Sequence, residues 1–325
     1  MKNRYIVIAL IFLLMITMYS YAFVIIPEHY STLQTQIEEN LLPEITNCTV
    51  QNGVPYSTDS RSNPYHFMDV YLPVGNGLFP AFVYVHGGGW VRGSRSDYNE
   101  TAEFYAKRGI AGFAVDYTLT TANKTGWPDN VQDVIEAIRF IRENAMNYRI
   151  NSNRIALFGY SAGAQFASLA GTLSGNESFL KGSSGNEKIR SRVCLVVDYS
   201  GATDFDYIGK YENASSVYRI LTRAFGNVSY SANPNLWIEA SAATYVSSDD
   251  PPFVIIHGTA DMVVPIGVAV SFNAKLQAAG AETHFIRVEG GDHNILTNAT
   301  ENLVARYYLE PLLRKVFNLN PQITS

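Results

Sequence analysis

A short glycine-rich segment, Gly-Tyr-Ser-Ala-Gly at 159–163, places a serine where it could act as a nucleophile. The residues before it, 154–158, are mostly apolar and β-prone, and those after it, 164–170, have the composition of a buried helix. Small residues on both sides of a serine allow a sharp strand-to-helix turn that lifts the hydroxyl clear of the sheet. We therefore predict that Ser161 stands at the apex of a nucleophile elbow.

A serine hydroxyl is a poor nucleophile at neutral pH, so it needs a base and a group that orients the base. His293 is the predicted base because it lies in a glycine-flanked loop after the last predicted strand. Asp261, which follows the seventh predicted strand, is the predicted orienting carboxylate. Three other aspartates are alternatives that we expect at the surface: Asp249, Asp250 and Asp292. His86 and His257 end strands and are expected to form structural hydrogen bonds beneath the site.

The segment His-Gly-Gly-Gly-Trp at 86–90 follows the third predicted strand directly. Successive glycines expose backbone N–H groups that no side chain covers, and open α/β sheets bind ligands at the carboxyl ends of their strands. We assign the N–H groups of Gly88, Gly89 and Ala162 to an oxyanion hole. The order Ser161, Asp261, His293 along the chain is the order that accompanies a nucleophile elbow.

Strands and helices alternate from Cys48 onward, which predicts an α/β fold with an eight-stranded, mostly parallel sheet flanked by helices on both faces. The first few strands are expected to pair as hairpins. The predicted strands are Val50–Tyr56, Phe67–Leu72, Ala81–His86, Ile110–Asp116, Arg154–Phe158, Val193–Tyr199, Phe253–His257 and Thr283–Val288. The predicted helices are Tyr98–Arg108, Asn130–Asn147, Ser161–Leu173, Ile266–Ala279 and Glu301–Val316.

Residues 201–252 separate the sixth and seventh predicted strands by more chain than a plain crossover needs. A long insertion of this kind is more often functional than idle, so we predict a small cap over the site. Its aromatic residues could line an acyl or sugar pocket, or they could pack the insertion onto the domain. These residues are Phe205, Tyr207, Tyr211, Tyr218, Phe225 and Trp237.

The N-terminal residues predict export. A charge-free run at 5–26 follows Lys2 and Arg4, so residues 1–26 are expected to be a signal peptide or an N-terminal membrane anchor. Residues 27–47 are predicted to be a stalk, and residues 48–325 the folded domain. The net charge of −5, spread over 325 residues, gives no indication of nucleic-acid binding or of membrane contact beyond the N-terminal segment.

Seven Asn-x-Ser/Thr sequons agree with export into a glycosylating compartment. They begin at Asn47, Asn99, Asn123, Asn176, Asn213, Asn227 and Asn298. The two cysteines, Cys48 and Cys194, could pair under oxidising conditions. Cys194 lies in a buried-strand pattern, so a free packed thiol is the expected state.

These motifs together resemble the α/β-hydrolase fold, in the esterase/lipase group with a His-Gly-Gly-Gly-Trp oxyanion motif. The similarity is greatest to the branch of feruloyl-esterase-like and kynurenine-formamidase-like enzymes, and it runs from about residue 48 to 317. It implies a catalytic role for Ser161, Asp261 and His293, and an oxyanion role for Gly88, Gly89 and Ala162. Lipases of the hormone-sensitive branch usually have Asp before the serine, whereas this chain has Tyr160.

The expected function is that of a secreted or membrane-anchored serine carboxylesterase working through an acyl-enzyme, without a metal or cofactor. The expected substrates are short-chain, aryl or carbohydrate esters, either small molecules or acylated polysaccharide. Two alternatives remain open at this point. One is an amidase, formamidase or peptidase that uses the same triad, and the other is a non-catalytic surface-binding protein on a hydrolase fold.

Overall fold

Eight strands form one sheet in the computed structural model, which describes residues 40–58, 63–173, 188–297 and 299–319. Their order in the sheet is β1-β2-β4-β3-β5-β6-β7-β8, and the sheet is parallel from β4 to β8. This architecture confirms the predicted fold class. The strands are β1 Cys48–Pro55, β2 Phe67–Pro73, β3 Phe79–Val85, β4 Ala111–Val115, β5 Ile150–Tyr160, β6 Val196–Tyr199, β7 Phe253–Gly258 and β8 Thr283–Val288.

The predicted hairpin pairing holds for the first two strands alone. β1 and β2 are antiparallel neighbours, but β2 then pairs antiparallel with β4 rather than with β3. β3 lies between β4 and β5 and is parallel to both. The helix between β3 and β4 allows this parallel crossover, which a tight turn could not make.

Helices cover both faces of the sheet and also build the insertion. Their bounds are α1 Asn99–Ala106, α2 Asp129–Glu143, α3 Ala162–Thr172, α4 Phe205–Tyr211, α5 Ser216–Ala224, α6 Pro234–Glu239, α7 Ile266–Ala279 and α8 Ala299–Phe317. The predicted bounds of α7 agree with the structure, because Gly280 ends that helix with a left-handed φ of 85°. Helices α4, α5 and α6 lie in the insertion 201–252, which is therefore helical where the sequence shows only short apolar runs.

The core lies in two layers, one on each face of the sheet. Along β5, Ile155 and Leu157 belong to the layer under α2, α3 and the insertion, while Ala156 and Phe158 belong to the layer under α1 and α8. Successive strand residues point to opposite faces, so a strand covered on both sides is apolar throughout. The sheet is thereby held rigid between two helical layers, and its carboxyl edge can carry a site.

The compact folded unit begins at Leu42, somewhat before the predicted boundary at residue 48. Leu42 is buried, and its carbonyl accepts a hydrogen bond from Arg108 Nε at 2.9 Å. The predicted signal or anchor, 1–26, lies outside the described residues, as does most of the predicted stalk. No helix within the described ranges is both long and apolar enough to span a bilayer.

Both cysteines are free, so they do not pair with each other. Cys194 lies just before β6, which is shorter than predicted and begins at Val196. Burial raises the pKa of the Cys194 thiol to about 11. The predicted state of this residue, a packed free thiol, is confirmed.

Candidate active site

Ser161 follows β5 directly and stands in a strained turn before α3. Its φ of 56° and ψ of −120° are unusual for a residue with a side chain, and such strain is concentrated at functional sites. A Cβ on Gly163 would lie 2.0 Å from the carbonyl oxygen of Val85, and one on Gly159 would lie 2.5 Å from Ala164 Cα. Gly163 therefore lets the elbow pack against β3, and Gly159 lets the end of β5 approach the start of α3, while the serine remains half-buried.

His293 lies in the loop after β8 and reaches Ser161. Its Nε2 is 2.9 Å from the serine Oγ, and its Nδ1 is 2.7 Å from Oδ2 of Asp261. The His293 side chain is 11% exposed and that of Asp261 is fully buried. The three side chains predicted from the sequence thus form one chain of hydrogen bonds, although they follow three different strands. The carboxyl ends of parallel strands share one edge of a sheet, which explains how the loops meet.

Asp261 receives several hydrogen-bond donors. Its Oδ1 accepts the backbone N–H groups of Val263 at 2.8 Å and Val264 at 2.9 Å. Its Oδ2 faces both His293 and His257. Burial alone would raise the pKa of the Asp261 carboxyl, but the hydrogen bonds and positive charge of the two histidines hold it well below its usual range. The carboxylate is therefore ionised throughout the working pH range and can orient an imidazole.

The glycine turn after β3 lies beside the serine. A Cβ on Gly87 would be 3.3 Å from the Cβ of Ser161. Gly88 and Gly89 have φ values of 114° and 60°, which favour glycine. In the described ranges, no protein group accepts a hydrogen bond from the N–H of Gly88, Gly89 or Ala162. Three uncommitted donors near a nucleophile can receive the negative charge of a tetrahedral intermediate.

His86 supports the glycine turn from below, as the sequence predicted. Its Nδ1–H donates to the carbonyl of Gly87 at 2.8 Å, and its ring stacks on Tyr117 with 4.1 Å between centroids. The Tyr117 hydroxyl donates to the carbonyl of His86 at 2.8 Å. Burial lowers the pKa of His86, so the ring stays neutral and acts as a structural donor.

The insertion covers the site on the side of the glycine turn. A Cβ on Gly89 would lie 2.9 Å from Cγ2 of Ile220 in α5, so this helix contacts the turn. Phe205, Phe225 and Trp237 are buried. Phe205 and Phe225 line a cavity of about 10 Å³ that also borders Trp90 and Gln165. Most of the insertion's aromatic volume therefore packs the cap onto the domain, and the cavity has room for about one water molecule.

The remaining sequence candidates lie away from the serine–histidine line. Asp249 and Asp292 are exposed as predicted, and Asp292 accepts the N–H of Asn294. The prediction was wrong for Asp250, which is buried because both of its carboxylate oxygens accept hydrogen bonds from Ser247. Two further histidines have acidic partners elsewhere: His66 pairs with Asp133, and His284 in β8 pairs with Glu282, which precedes that strand. No group of three or more His, Cys, Asp or Glu side chains is arranged to hold a metal ion in the part of the chain that the structure describes.

The chain matches a known protein family over most of the folded domain. Residues 68–276, from β2 through most of α7, match the family described as BD-FAE. This match covers more than half of the chain and includes the elbow, the glycine turn and Asp261. The chain belongs to the BD-FAE family.

Curated relatives of this chain, and solved structures of similar proteins, carry esterase names. Esterase LipQ of Mycobacterium tuberculosis is 31% identical over 238 residues, which are 71% of this chain and 54% of LipQ. Isoprenylcysteine alpha-carbonyl methylesterase ICME of Arabidopsis thaliana is 28% identical, over 76% of this chain and 57% of the relative. A truncated carbohydrate esterase from gut microbiota superimposes with a TM-score of 0.68 at 25% identity, covering 84% of this chain and 99% of that structure.

The BD-FAE chain spans about half the length of the curated relatives it matches. The family match ends at residue 276, so the loop that carries His293 lies beyond it. The geometry of the site therefore provides evidence for His293 that the family match does not.

Sequence reasoning missed two contacts in the BD-FAE site. His257 was expected to be structural, but it also lies against Asp261 itself. From the sequence, Tyr160 was notable only because lipases of the hormone-sensitive branch have Asp at this position. In the structure, its hydroxyl donates to the carbonyl of His293 at 3.0 Å. The sequence signal for the first contact is that Asp261 follows His257, near the end of β7, by only four residues.

Proposed function

We propose that this protein is a serine carboxylesterase that hydrolyses short-chain esters, including acetyl esters of carbohydrates, through an acyl-enzyme. The observation that carries the proposal is the 2.9 Å contact between Nε2 of His293 and Oγ of Ser161, with Asp261 on Nδ1. This geometry meets the requirement for a nucleophile, a base and an orienting group within hydrogen-bond reach. The esterase names of the relatives point to the same reaction class.

In the proposed acylation step, Oγ of Ser161 attacks the carbonyl carbon of the ester and its proton passes to Nε2 of His293. The carbonyl oxygen gains the negative charge and takes hydrogen bonds from the N–H groups of Gly88, Gly89 and Ala162. The carbon–oxygen bond to the alcohol then breaks, and His293 returns the proton to the leaving oxygen. Asp261 stabilises the imidazolium throughout without taking its proton.

Deacylation repeats the same steps with water. His293 takes a proton from a water molecule as that water attacks the acyl carbon, and the same three N–H groups stabilise the second oxyanion. The bond to Oγ breaks, and Ser161 regains its proton from His293. The products are one carboxylic acid and one alcohol.

The short-chain preference is inferred from the cap. Ile220 lies against Gly89 of the oxyanion turn, and the buried Phe205 packs on Trp90 with 5.8 Å between ring centroids, so the cap leaves little room for a long acyl group on that side. The carbohydrate part of the proposal rests on the names of the gut carbohydrate esterase and of a bifunctional Bacteroides eggerthii enzyme, 26% identical with a TM-score of 0.68.

A location outside the cytoplasm is part of the same proposal, with residues 1–26 as signal or tether. Five sequon asparagines lie in the described residues and all are exposed, as attached glycans would require: Asn47, Asn99, Asn123, Asn213 and Asn227. Expression of the full chain in its host, followed by carbonate extraction and surface protease treatment, tests the location. Recovery of unprocessed protein in the cytoplasmic fraction contradicts it.

The activity is tested with Ser161→Ala, using a fluorophosphonate probe and nitrophenyl acetate, butyrate and octanoate. We expect labelling and hydrolysis in the wild type, their loss in Ser161→Ala, and their retention in Ser231→Ala, which changes an exposed serine. Acetylated xylan and an aryl amide matched to nitrophenyl acetate extend the panel. Turnover that persists in Ser161→Ala contradicts the proposed nucleophile, and faster amide than ester cleavage contradicts the esterase assignment.

A further inference from the structure

The loop that carries His293 is anchored firmly at its beginning. Gly290 N–H donates to Oγ1 of Thr259 at 2.8 Å, and the carbonyl of Gly291 accepts the N–H of Ala260 at 2.9 Å. These bonds tie the loop to the turn after β7, which also carries Asp261. They precede the histidine, so they do not by themselves fix the peptide group of His293.

Tyr160 makes the contact that holds this peptide group. It is the last residue of β5, and its hydroxyl donates to the carbonyl of His293 at 3.0 Å, with Oδ1 of Asn294 at 3.3 Å. Among the described residues, this hydroxyl is the one donor to that carbonyl. The rings of Tyr160 and His293 also pack against each other, with 5.4 Å between their centroids and an interplanar angle of 39°.

The Tyr160 ring also touches the glycine turn on its other side. A Cβ on Gly87 would lie 3.0 Å from Cδ1 of Tyr160. The side chain therefore stands between the histidine loop and the oxyanion turn, while its backbone leads directly into Ser161. One residue thus contacts all three parts of the site.

We propose that Tyr160 is a positioning residue, whose hydroxyl holds the backbone of His293 so that Nε2 remains within reach of Ser161. This inference rests on the proposed hydrolase function and names a residue that acts through the base, without contact to the reacting atoms. A small displacement of the base lowers the rate of the chemical step more than it weakens substrate binding, because proton transfer depends on the geometry of the transition state.

The chemistry of the hydroxyl suits this role. Burial, and then the charges of Asp261 and Asp292, raise the pKa of Tyr160 to about 12. The group therefore remains a protonated donor wherever the enzyme would work. Phenylalanine keeps the ring and its contact with the glycine turn but removes the donor, so Tyr160→Phe isolates the hydrogen bond.

The matched control is Tyr98→Phe. Tyr98 is buried in the neighbouring core, and its hydroxyl has no hydrogen-bond partner among the described residues. For Tyr160→Phe we expect kcat on nitrophenyl acetate to fall about five- to tenfold, with KM within about twofold of the wild type. The rate of fluorophosphonate labelling should fall by a similar factor, because it also depends on the base. Tyr98→Phe should keep both rates.

Thermal unfolding separates positioning from a purely structural role. We expect Tyr160→Phe to lower the Tm by no more than about 2–4 °C, the effect of losing about 1 kcal/mol in a domain of this size. Tyr160→Ala should lose more activity because it also removes the ring. Equal kcat in Tyr160→Phe and the wild type overturns the inference, as does a loss confined to KM. Failure of the wild type itself to label would instead overturn the proposed function.

Discussion

Nε2 of His257 lies 3.2 Å from Oδ2 of Asp261, the carboxylate oxygen that also faces His293. The same Nε2 lies 2.8 Å from the carbonyl oxygen of Val264, and the His257 side chain is completely buried. Because both neighbours of Nε2 are acceptors, this nitrogen carries a proton and donates. Nitrogens of two imidazoles, those of His257 and His293, therefore face the same carboxylate oxygen, and both help to hold Asp261 where it orients the base.

Removal of the His257 side chain should lower kcat more than it changes KM. We expect His257→Leu to lower kcat about tenfold, because Asp261 loses a buried polar neighbour 3.2 Å from Oδ2 and the Val264 carbonyl loses its hydrogen-bond donor. His257→Gln places an amide N–H near the position of Nε2 and should lose less. Steady-state kinetics on nitrophenyl acetate, with urea unfolding to check the fold, measures both. A folded His257→Leu variant with the kcat of the wild type would show that the contact is not needed.

A buried carboxyl group in β6, the strand beside β7, should make the stability of the protein depend on pH. Asp198 is 1% exposed in β6, and burial raises its pKa to about 6, although the nearby His257 and two hydrogen bonds act in the opposite direction. Between pH ~4 and 6 the native state holds a proton that the unfolded state has lost. The free energy of unfolding should therefore fall by about 3 kcal/mol as pH rises through this window, and this term should stay constant above it.

Asp198→Asn should remove this contribution. The amide oxygen can still accept the N–H of Gly201, and the amide nitrogen can donate to Ser168, so both native contacts are preserved. We expect the variant to be more stable than the wild type at pH 8 and to show a smaller change between pH 4 and 6. Urea unfolding at a series of pH values measures this, and an unchanged slope in the variant contradicts the assignment to Asp198.

The elbow should not tolerate a methyl group at Gly163. An added Cβ would lie 2.0 Å from the backbone oxygen of Val85, which cannot move without disturbing β3. We expect Gly163→Ala to destabilise the protein by about 3 kcal/mol or more, or to prevent folding. The matched control is Gly280→Ala, which has open space around its Cβ and only an unfavourable φ of 85°, and should cost about 1 kcal/mol. Similar Tm values for the two variants would contradict a steric origin.

The cap residue Ile220 should limit acyl length. Its Cγ2 would be 2.9 Å from a Cβ on Gly89, and the side chain is half-buried beside the oxyanion turn. Ile220→Ala should raise the ratio of kcat/KM for the octanoate ester to that for the acetate ester, by about threefold or more, since each added methylene that can be buried contributes about 0.8 kcal/mol. The neighbouring exposed Arg219→Ala is the control and should leave the ratio unchanged. If Ile220→Ala and Arg219→Ala had the same octanoate-to-acetate ratio of kcat/KM, the acyl group would bind away from Ile220.

Much of the fold follows from local patterns. All eight strands were predicted close to their positions, and the central ones were clearest, because strands buried on both faces are continuous apolar runs between glycine and polar turns. Helix α7 was predicted with its bounds, since Gly280 marks its end. The hairpin expectation failed at β3, because the order of strands in a sheet depends on packing between distant segments and leaves no local signal.

The sequence by itself determined which residue types could act and in what order they occur along the chain. A serine in a glycine elbow, an aspartate after one strand and a histidine after another are recognisable because the chemistry demands those types after strand ends. The tertiary structure decided how they meet: His293 lies 132 residues from Ser161 along the chain, and Tyr160 lies 133 residues from the carbonyl it holds. Contacts such as His257 with Asp261 and Tyr160 with His293 exist only once the parallel sheet brings its carboxyl ends to one edge. Hydrogen bonds between such distant residues require geometry that no local pattern encodes.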